Sequence, residues 1–193
     1  MTIFHWIILI SWLVFIGYWA ISAIGVRKDI TKNAWWWSGR AYTVRLIIAM
    51  IIIIAVILCF PGVNRVFTNR INATGSIMPE IGSILCALGI TFAIWARWHL
   101  GKNWSSHPAL KEGHELVTSG PYRFVRHPIY TGILLAEFGT VLAAGYIWLI
   151  PLIFGGVVFI RRVSIEEQIM MKQFPDAYPE YKKRTKALIP FIW

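Results

Sequence analysis

The chain has 193 residues, of which 57% are apolar and only 15% charged, and its mean hydropathy is +0.59. Soluble domains carry roughly 25% charged residues, and disordered chains are rich in charge and poor in apolar residues, so this composition argues against both classes. The charge is lopsided, with 19 Lys and Arg against 9 Asp and Glu. In a soluble protein this excess would indicate nucleic-acid binding, but in an apolar chain it indicates which loops face the cytoplasm.

Three apolar segments are long enough to cross a membrane. Residues 3–24, 44–63 and 77–98 each contain few polar residues, and about 20 apolar residues in a helix span the hydrocarbon core of roughly 30 Å. We therefore expect a transmembrane helix in each of them.

A fourth apolar stretch, residues 129–160, is longer than one crossing needs. Gly145 interrupts it, and the pattern predicts a helical hairpin with arms at about 129–144 and 147–162. At 1.5 Å per residue each arm is only roughly 24 Å long, so we expect the second arm to continue past Arg161. The predicted fold is an all-α integral membrane protein with five transmembrane helices, the last two forming the hairpin.

The basic residues predict the orientation. With five spans, 17 Lys and Arg fall on one side and 2 on the other, which places the N-terminus outside and the C-terminus in the cytoplasm. The chain then divides into three N-terminal helices in residues 1–98 and a catalytic region in residues 99–193. That region comprises a cytoplasmic cofactor loop, the hairpin and a C-terminal helical tail.

The connection at residues 99–128 is long for a link between helices, and such loops are usually functional or disordered. Its apolar residues and turn-forming glycines and prolines favour an ordered, site-forming loop. His99, His107 and His114 recur every seven or eight residues. Three histidines can bind zinc, but this spacing across a proline-containing loop is a weak signal, and no metal site is predicted.

A helix start follows in the segment Arg126-His127-Pro128-Ile129-Tyr130-Thr131-Gly132. Proline disfavours helix at His127 and suits the first helical turn at Pro128. Free backbone N–H groups at a helix start attract anions such as a carboxylate, and Gly132 allows another group to approach the helix closely. The alternative is a helix start that carries only an interfacial Arg–His pair.

Two further features involve carboxylates. Arg162 and Glu166 are four residues apart, so they share one helical face and can pair if the last span continues; such pairs are also common on ordinary surfaces. Glu137 is the only acidic residue deep in a span. Ionisable groups at that depth are functional by default, although Glu137 can alternatively pair with a neighbouring helix.

Three motifs in order resemble the isoprenylcysteine carboxyl methyltransferase family, within the wider group that includes phospholipid methyltransferases. They are His114-Glu115-Leu116-Val117-Thr118-Ser119-Gly120-Pro121-Tyr122, then Arg126-His127-Pro128-Ile129-Tyr130-Thr131-Gly132, then Glu166-Glu167 with Tyr178 and Tyr181-Lys182-Lys183-Arg184. The resemblance covers residues 107–193. The second motif alone is also similar to the C-terminal region of membrane sterol reductases, which use NADPH.

The resemblance implies that S-adenosylmethionine is the methyl donor and S-adenosylhomocysteine the product. It also implies that Arg162 faces the methyl acceptor. The cofactor contacts that it implies are His107, His114, Glu115, Leu116, Val117, Tyr122, Arg126, His127, Pro128, Ile129, Tyr130 and Glu166.

The expected reaction is methyl transfer to a lipophilic acceptor that enters from the bilayer, most simply the carboxylate of an isoprenylcysteine-type substrate. A carboxylate is ionised at pH 7 and needs no general base. Methylation of a phospholipid amine is the alternative, with Glu167 or a histidine as base. An NADPH-dependent reductase and a non-enzymatic membrane scaffold are the remaining alternatives. No nucleic-acid partner is expected, and the oligomeric state is open.

Overall fold

The computed structural model describes residues 2–22, 76–104, 113 and 115–190, and these residues are helical or irregular. The α-helices are α1 (Ile3–Ser22), α2 (Met78–Leu100), α3 (Pro128–Ala144), α4 (Leu149–Gln173) and α5 (Ala177–Arg184). Short 3₁₀ turns lie at Gly101–Asn103, Gly120–Arg123 and Tyr146–Trp148. The predicted all-α class is confirmed.

Among the described residues, three helical segments are long and apolar enough to cross a membrane: Ile3–Ser22, Met78–Asn103 and Tyr146–Gln173. They correspond to the first, third and fifth predicted spans. Helix α3 is shorter, with 17 residues that extend over roughly 26 Å. The second predicted span, residues 44–63, lies outside the described residues.

The predicted hairpin is present, with its turn at Gly145. This glycine has φ 110°, a backbone conformation that other residues rarely adopt, and it redirects the chain from α3 towards α4. As expected, α4 continues past Arg161 and ends at Gln173. Its 25 residues extend over roughly 38 Å, more than the hydrocarbon core of roughly 30 Å, so the helix reaches beyond the hydrocarbon region.

Helices α2 and α3 are in backbone contact through facing glycines. A Cβ atom added at Gly89 would lie 2.5 Å from Ala136 N, and one added at Gly132 would lie 2.6 Å from Gly89 O. Gly82 and Gly139 repeat this contact two turns away. Small residues permit such close approach between membrane helices. The predicted close approach at Gly132 is confirmed, and the approaching group is α2.

Helix α1 joins this pair through two polar contacts. Trp12 Nε1 donates a hydrogen bond of 3.1 Å to Thr140 Oγ1 on α3. At the other end, the Arg97 guanidinium on α2 donates to the carbonyl oxygen of Ser22 and lies 4.3 Å from the ring centroid of Trp104. The three helices therefore form one packed body.

The C-terminal segment is fastened to the chain just before α3. Val125 and Lys186 form an isolated parallel β-bridge. Arg126 N donates to Lys186 O at 2.8 Å, and His127 N donates to Ala187 O at 3.0 Å. These bonds hold the tail beside the first turn of α3 and satisfy backbone groups that the helix itself leaves unpaired.

Candidate active site

The site lies where the last turns of α4 meet the start of α3. We call residues 126–130 the α3 mouth. Glu166 and Glu167 extend from α4 towards this mouth, and because successive helical residues are about 100° apart, the two carboxylates meet different partners. Their surroundings give them different roles.

Glu166 keeps room for a further hydrogen-bond donor. Tyr130 Oη donates to Glu166 Oε1 at 2.6 Å. The other two contacts are long: Arg162 Nε lies 3.4 Å from Oε1 and His127 Nδ1 lies 3.4 Å from Oε2. The Glu166 side chain is 23% exposed. A carboxylate offers about four lone-pair positions, so this one is oriented by Tyr130 without being saturated. The predicted pairing with Arg162 is confirmed.

Glu167 is enclosed and fully engaged. Arg126 Nε lies 2.6 Å from Glu167 Oε1, and Lys182 Nζ lies 2.6 Å from Oε2. Arg126 also donates to the backbone carbonyls of Lys182, at 3.3 Å, and of Thr185. Glu167 therefore ties α4 to the α3 mouth and to α5. The predicted contact between Arg126 and the cofactor stays a prediction, since this guanidinium already spans these partners.

His127 lies between the two carboxylates. Its side chain is buried, and its Nε2 is 3.6 Å from Glu167 Oε1, too far for a hydrogen bond. Within the described part of the chain, Nε2 has no hydrogen-bond partner. Burial alone would lower the pKa of His127, but Glu166 and Glu167 outweigh it and raise the pKa above its usual value. The imidazole is therefore more readily protonated than a free histidine.

Tyr130 connects the charged groups to an aromatic stack. Its ring stacks on His127, with centroids 5.7 Å apart and planes 5° apart, and on Phe159, at 4.5 Å and 9°. The Arg162 guanidinium lies 5.6 Å from the centroid of Tyr130. Phe159 was not among the predicted residues. Phe159 is three residues from Arg162 and seven from Glu166, so all three lie on one helical face. This spacing could have predicted its place in the site.

An apolar wall adjoins the α3 mouth. Val117 packs against a buried cluster of Ala96, Tyr122 and Ile129. Burial raises the pKa of Tyr122 far above its usual value, so its hydroxyl stays a neutral donor, directed at Ala96 O at 3.4 Å. Tyr130 packs against the same cluster, which makes the wall continuous with the site.

The remaining predicted residues are less central. Pro128 is the first residue of α3 and is fully buried. Leu116 is half-buried, while Glu115 is exposed and donates its backbone N–H to Asn103 Oδ1 at 3.4 Å. His107 and His114 lie outside the described residues. The structure therefore brings Val117, Tyr122, Ile129 and the α3 mouth together with Arg162 and Glu166.

Comparisons with known proteins give the family of this chain. A family model described as phospholipid methyltransferase matches residues 78–177, from α2 to the start of α5. Protein-S-isoprenylcysteine O-methyltransferase B of Arabidopsis thaliana is 33% identical over 80% of this chain and 76% of that protein. Protein-S-isoprenylcysteine O-methyltransferase A of the same plant is 30% identical over 79% of this chain and 75% of that protein.

A solved structure, titled as the eukaryotic intramembrane Ras methyltransferase ICMT (isoprenylcysteine carboxyl methyltransferase) without a monobody, has a similar fold. Its TM-score is 0.54 at 22% identity, covering 84% of this chain and 55% of that chain. This chain thus spans about half the length of the solved relative.

Fold, site and relatives together define a membrane methyltransferase. The chain belongs to the phospholipid methyltransferase family, and its relatives within that family include protein-S-isoprenylcysteine O-methyltransferases. This assignment decides against the reductase and scaffold alternatives.

Proposed function

We propose that the protein transfers a methyl group from S-adenosylmethionine to the carboxylate of an isoprenylcysteine-type acceptor. The observation that carries the proposal is the pair formed by Glu166 and Arg162. One is a carboxylate with spare acceptor capacity, and the other is a cation 3.4 Å away. Glu166 can therefore bind the amino group of a methyl donor, and Arg162 can bind the carboxylate of an acceptor.

The residues at the α3 mouth fit S-adenosylmethionine. Glu166 can accept from the ammonium group of the cofactor. His127 Nε2, buried and without a hydrogen-bond partner in the described residues, can donate to its carboxylate together with N–H groups of the first turn of α3 that have no intrahelical partner. Val117 and Ile129 offer an apolar surface for adenine. When bound there, the cofactor supplies an electrophilic methyl group.

The remaining predicted contacts belong to the same proposal. We place His107, His114, Glu115, Leu116 and Tyr122 on the adenosine side, with Pro128 and Tyr130 at the mouth. Because the reaction is an in-line displacement, the protein contributes mainly by orienting the two reactants.

Arg162 is the proposed anchor of the acceptor. It lies on the stretch of α4 where Val157 and Ile160 are exposed, a surface suited to lipid. A carboxylate from a lipid-borne acceptor can therefore reach the guanidinium without leaving the bilayer interface. No deprotonation is required, because the carboxylate is ionised at pH 7.

The surroundings of Glu167 favour a carboxylate acceptor over an amine. An amine must lose a proton before it can attack, and the candidate bases are Glu167 or a histidine, so the surroundings of Glu167 weaken one of the two. Arg126 and Lys182 both lie 2.6 Å from its oxygens, and such ion pairing stabilises the ionised form and weakens it as a base.

The proposal includes an orientation. The active site of the catalytic region, residues 99–193, and the C-terminus face the cytoplasm, while the N-terminus is outside. The supporting observation is the division of the basic residues, since Lys and Arg collect in cytoplasmic loops. A soluble donor then arrives from the cytoplasm and a lipophilic acceptor from the bilayer.

A labelling assay tests the reaction. Detergent-purified protein is incubated with S-adenosylmethionine labelled in the methyl group and with either a prenylcysteine analogue or phosphatidylethanolamine. We expect label in a base-labile ester of the prenylcysteine analogue. Label found only in base-stable lipid amine would replace the carboxylate with the amine as acceptor.

Calorimetric titration tests the cofactor site. Glu166→Gln should weaken binding of S-adenosylmethionine by about tenfold or more, equivalent to about 1.4 kcal/mol. The matched control is Glu180→Gln, which alters a carboxylate that pairs with Lys183 on the exposed face of α5. Equal affinity in all three proteins would refute the assignment of Glu166.

A further inference from the structure

The turn at residues 119–122 lies against the imidazole ring of His99, the last residue but one of α2. Gly120 in this turn has φ 57°, a backbone conformation that favours glycine. A Cβ atom added at Gly120 would lie 2.7 Å from His99 Cε1 and 2.8 Å from each ring nitrogen. The turn therefore needs glycine both for its conformation and for its contact with the ring.

Two further contacts join His99 to this turn. His99 Nε2 and Ser119 Oγ share a hydrogen bond of 2.9 Å. The imidazole also stacks on Tyr122, with ring centroids 6.4 Å apart and planes 25° apart. One side chain of α2 thus contacts three of the four residues of the turn, and these contacts fix both the distance of the turn from α2 and its orientation.

Tyr122 is also held by the C-terminal part of the chain. Tyr181 of α5 is buried, and its Oη donates to the backbone oxygen of Tyr122 at 2.6 Å. The hydroxyl of Tyr122 in turn donates to Ala96 O at 3.4 Å. Tyr181 therefore holds the backbone of Tyr122, while His99 and Ala96, both on α2, hold its side chain.

The position of this turn matters because it carries part of the apolar wall. Tyr122 belongs to the buried cluster against which Val117 packs, and the proposed function places the adenosine half of the cofactor there. Helix α2 is fixed against α3 by contacts such as that of Gly89 with Gly132, so His99 relates the wall to the α3 mouth. A ligand that spans both places needs supporting residues that hold them at a set distance.

We propose that His99 is a positioning residue for the adenosine half of S-adenosylmethionine. It acts through Ser119, Gly120 and Tyr122 and does not touch the reacting atoms. The inference rests on the proposed function for the identity of the ligand. It adds that the two halves of the cofactor depend on different residues, the adenosine half on His99 and the amino-acid half on Glu166.

Two ligands test this division. S-adenosylmethionine contains both halves, whereas 5′-methylthioadenosine contains the adenosine half without the amino group that Glu166 would bind. The affinity of each is measured by calorimetric titration of the detergent-purified protein. His99→Ala should weaken binding of both ligands about fivefold, roughly the effect of losing one hydrogen bond. Glu166→Gln should weaken binding of S-adenosylmethionine alone.

Further variants assign the effect to the contact between His99 and the turn. Ser119→Ala removes the hydrogen bond but leaves the imidazole in place, so we expect part of the same loss. His99→Gln supplies an amide N–H that can donate to Ser119 Oγ, and it should recover part of the affinity. The matched control is Trp98→Phe, at an exposed neighbouring position on α2, which should bind both ligands as the wild type does.

Kinetics give a readout that a general loss of structure would not produce. In the labelling assay with the prenylcysteine analogue, His99→Ala should raise the KM for S-adenosylmethionine about fivefold, since one hydrogen bond is lost. It should leave kcat and the KM for the acceptor unchanged. Equal increases in both KM values would indicate a structural role for His99 and overturn the proposal.

The outcomes separate this inference from the proposed reaction. If the wild type binds both ligands and His99→Ala binds them equally well, the inference is overturned and the proposed function stands. A loss in His99→Ala that is confined to S-adenosylmethionine would also overturn it, because the adenosine half would not depend on His99. If no acceptor is methylated but His99→Ala weakens both ligands, the reaction is wrong and the role of His99 stands. A wild type that binds neither ligand would overturn both.

Discussion

Helix α3 has two neighbours that pack against it in opposite ways. Towards α2 the contact is made by glycines, and backbone atoms approach so closely that a Cβ atom at Gly89 or Gly132 would clash. Towards α4 the contact is made by large side chains, an aromatic stack and ion pairs that end at Glu166 and Glu167. The face towards α2 holds α3 in position, and the face towards α4 carries the charged and aromatic side chains of the site.

This difference shows how a small membrane protein can hold a polar site in place. A functional group needs supporting elements that do not shift, and the glycine contact supplies them for the α3 mouth. The face towards α4 can then retain groups that are incompletely paired, such as His127 Nε2 and Glu137 Oε2. The following changes act on one side of this comparison, except the last, which acts where α1 meets α3.

The largest expected effect is at the ion pair that joins α4 to the α3 mouth. Glu167→Leu leaves the Arg126 guanidinium buried without its carboxylate, and removal of one partner from a buried pair costs about 3–5 kcal/mol. We expect a loss of this order in the free energy of unfolding, measured by denaturant titration in detergent. Glu180→Gln, in an exposed pair on α5, is the control and should have no measurable effect. A wild-type unfolding midpoint for Glu167→Leu would show that α3 is held by its glycine face alone.

The glycine face gives the next largest effect. Gly89→Ala brings a methyl group within 2.5 Å of Ala136 N and Gly132 O, and because backbone atoms cannot move aside easily, we expect a loss of about 1–3 kcal/mol. Gly156→Ala is the matched control in α4, since its new methyl group would have only Leu134 Cδ2 nearby, at 4.0 Å. If the two variants unfold at the same temperature, the α2–α3 contact is looser than described.

Local sequence patterns predicted much of this architecture. Pro128 marked the start of α3 and Gly145 its end, because proline and glycine each restrict where a helix can run. The pairing of Arg162 with Glu166 also followed from their spacing, since residues four apart on a helix are neighbours.

Contacts between distant parts of the chain were not predicted. Arg126 and Glu167 are 41 residues apart, and Lys182 belongs to another helix, so no local spacing in the sequence predicts that they pair. The bridge between Val125 and Lys186 also cannot be predicted from helical periodicity. Gly132 indicated that another group approaches α3 closely, but not that this group is a glycine of α2. Helical periodicity predicts which face of a helix is covered and does not identify the helix that covers it.

A smaller, pH-dependent effect arises at His127. Its pKa is raised by Glu166 and Glu167, so its contribution to stability is fully present below its unfolded pKa of about 6.5 and is lost as pH rises through the folded value. The slope contributed by one proton cannot exceed about 1.4 kcal/mol per pH unit.

The measurement is the unfolding free energy of the wild type and His127→Asn across the range from pH 6 to basic pH. We expect the difference between the two proteins to shrink as pH rises. The other charged groups at this site, Arg126, Arg162 and Lys182, are present in both proteins and cancel in the difference. A difference that grows with pH would mean that burial, rather than the carboxylates, governs the imidazole.

The smallest effect is expected where α1 meets α3. Trp12→Phe removes the hydrogen bond of 3.1 Å to Thr140 Oγ1 but keeps an aromatic ring beside Phe15. Thr140 keeps its own bond to Ala136 O at 2.8 Å, so no hydroxyl is left unpaired, and bonds between membrane helices average about 0.6 kcal/mol. Trp6→Phe, at an exposed position on α1, is the control for denaturant titration. A loss well above 1 kcal/mol in the free energy of unfolding would mean that α1 stabilises the position of α3 about as much as the glycine contact with α2 does, because α3 would then depend on both helices.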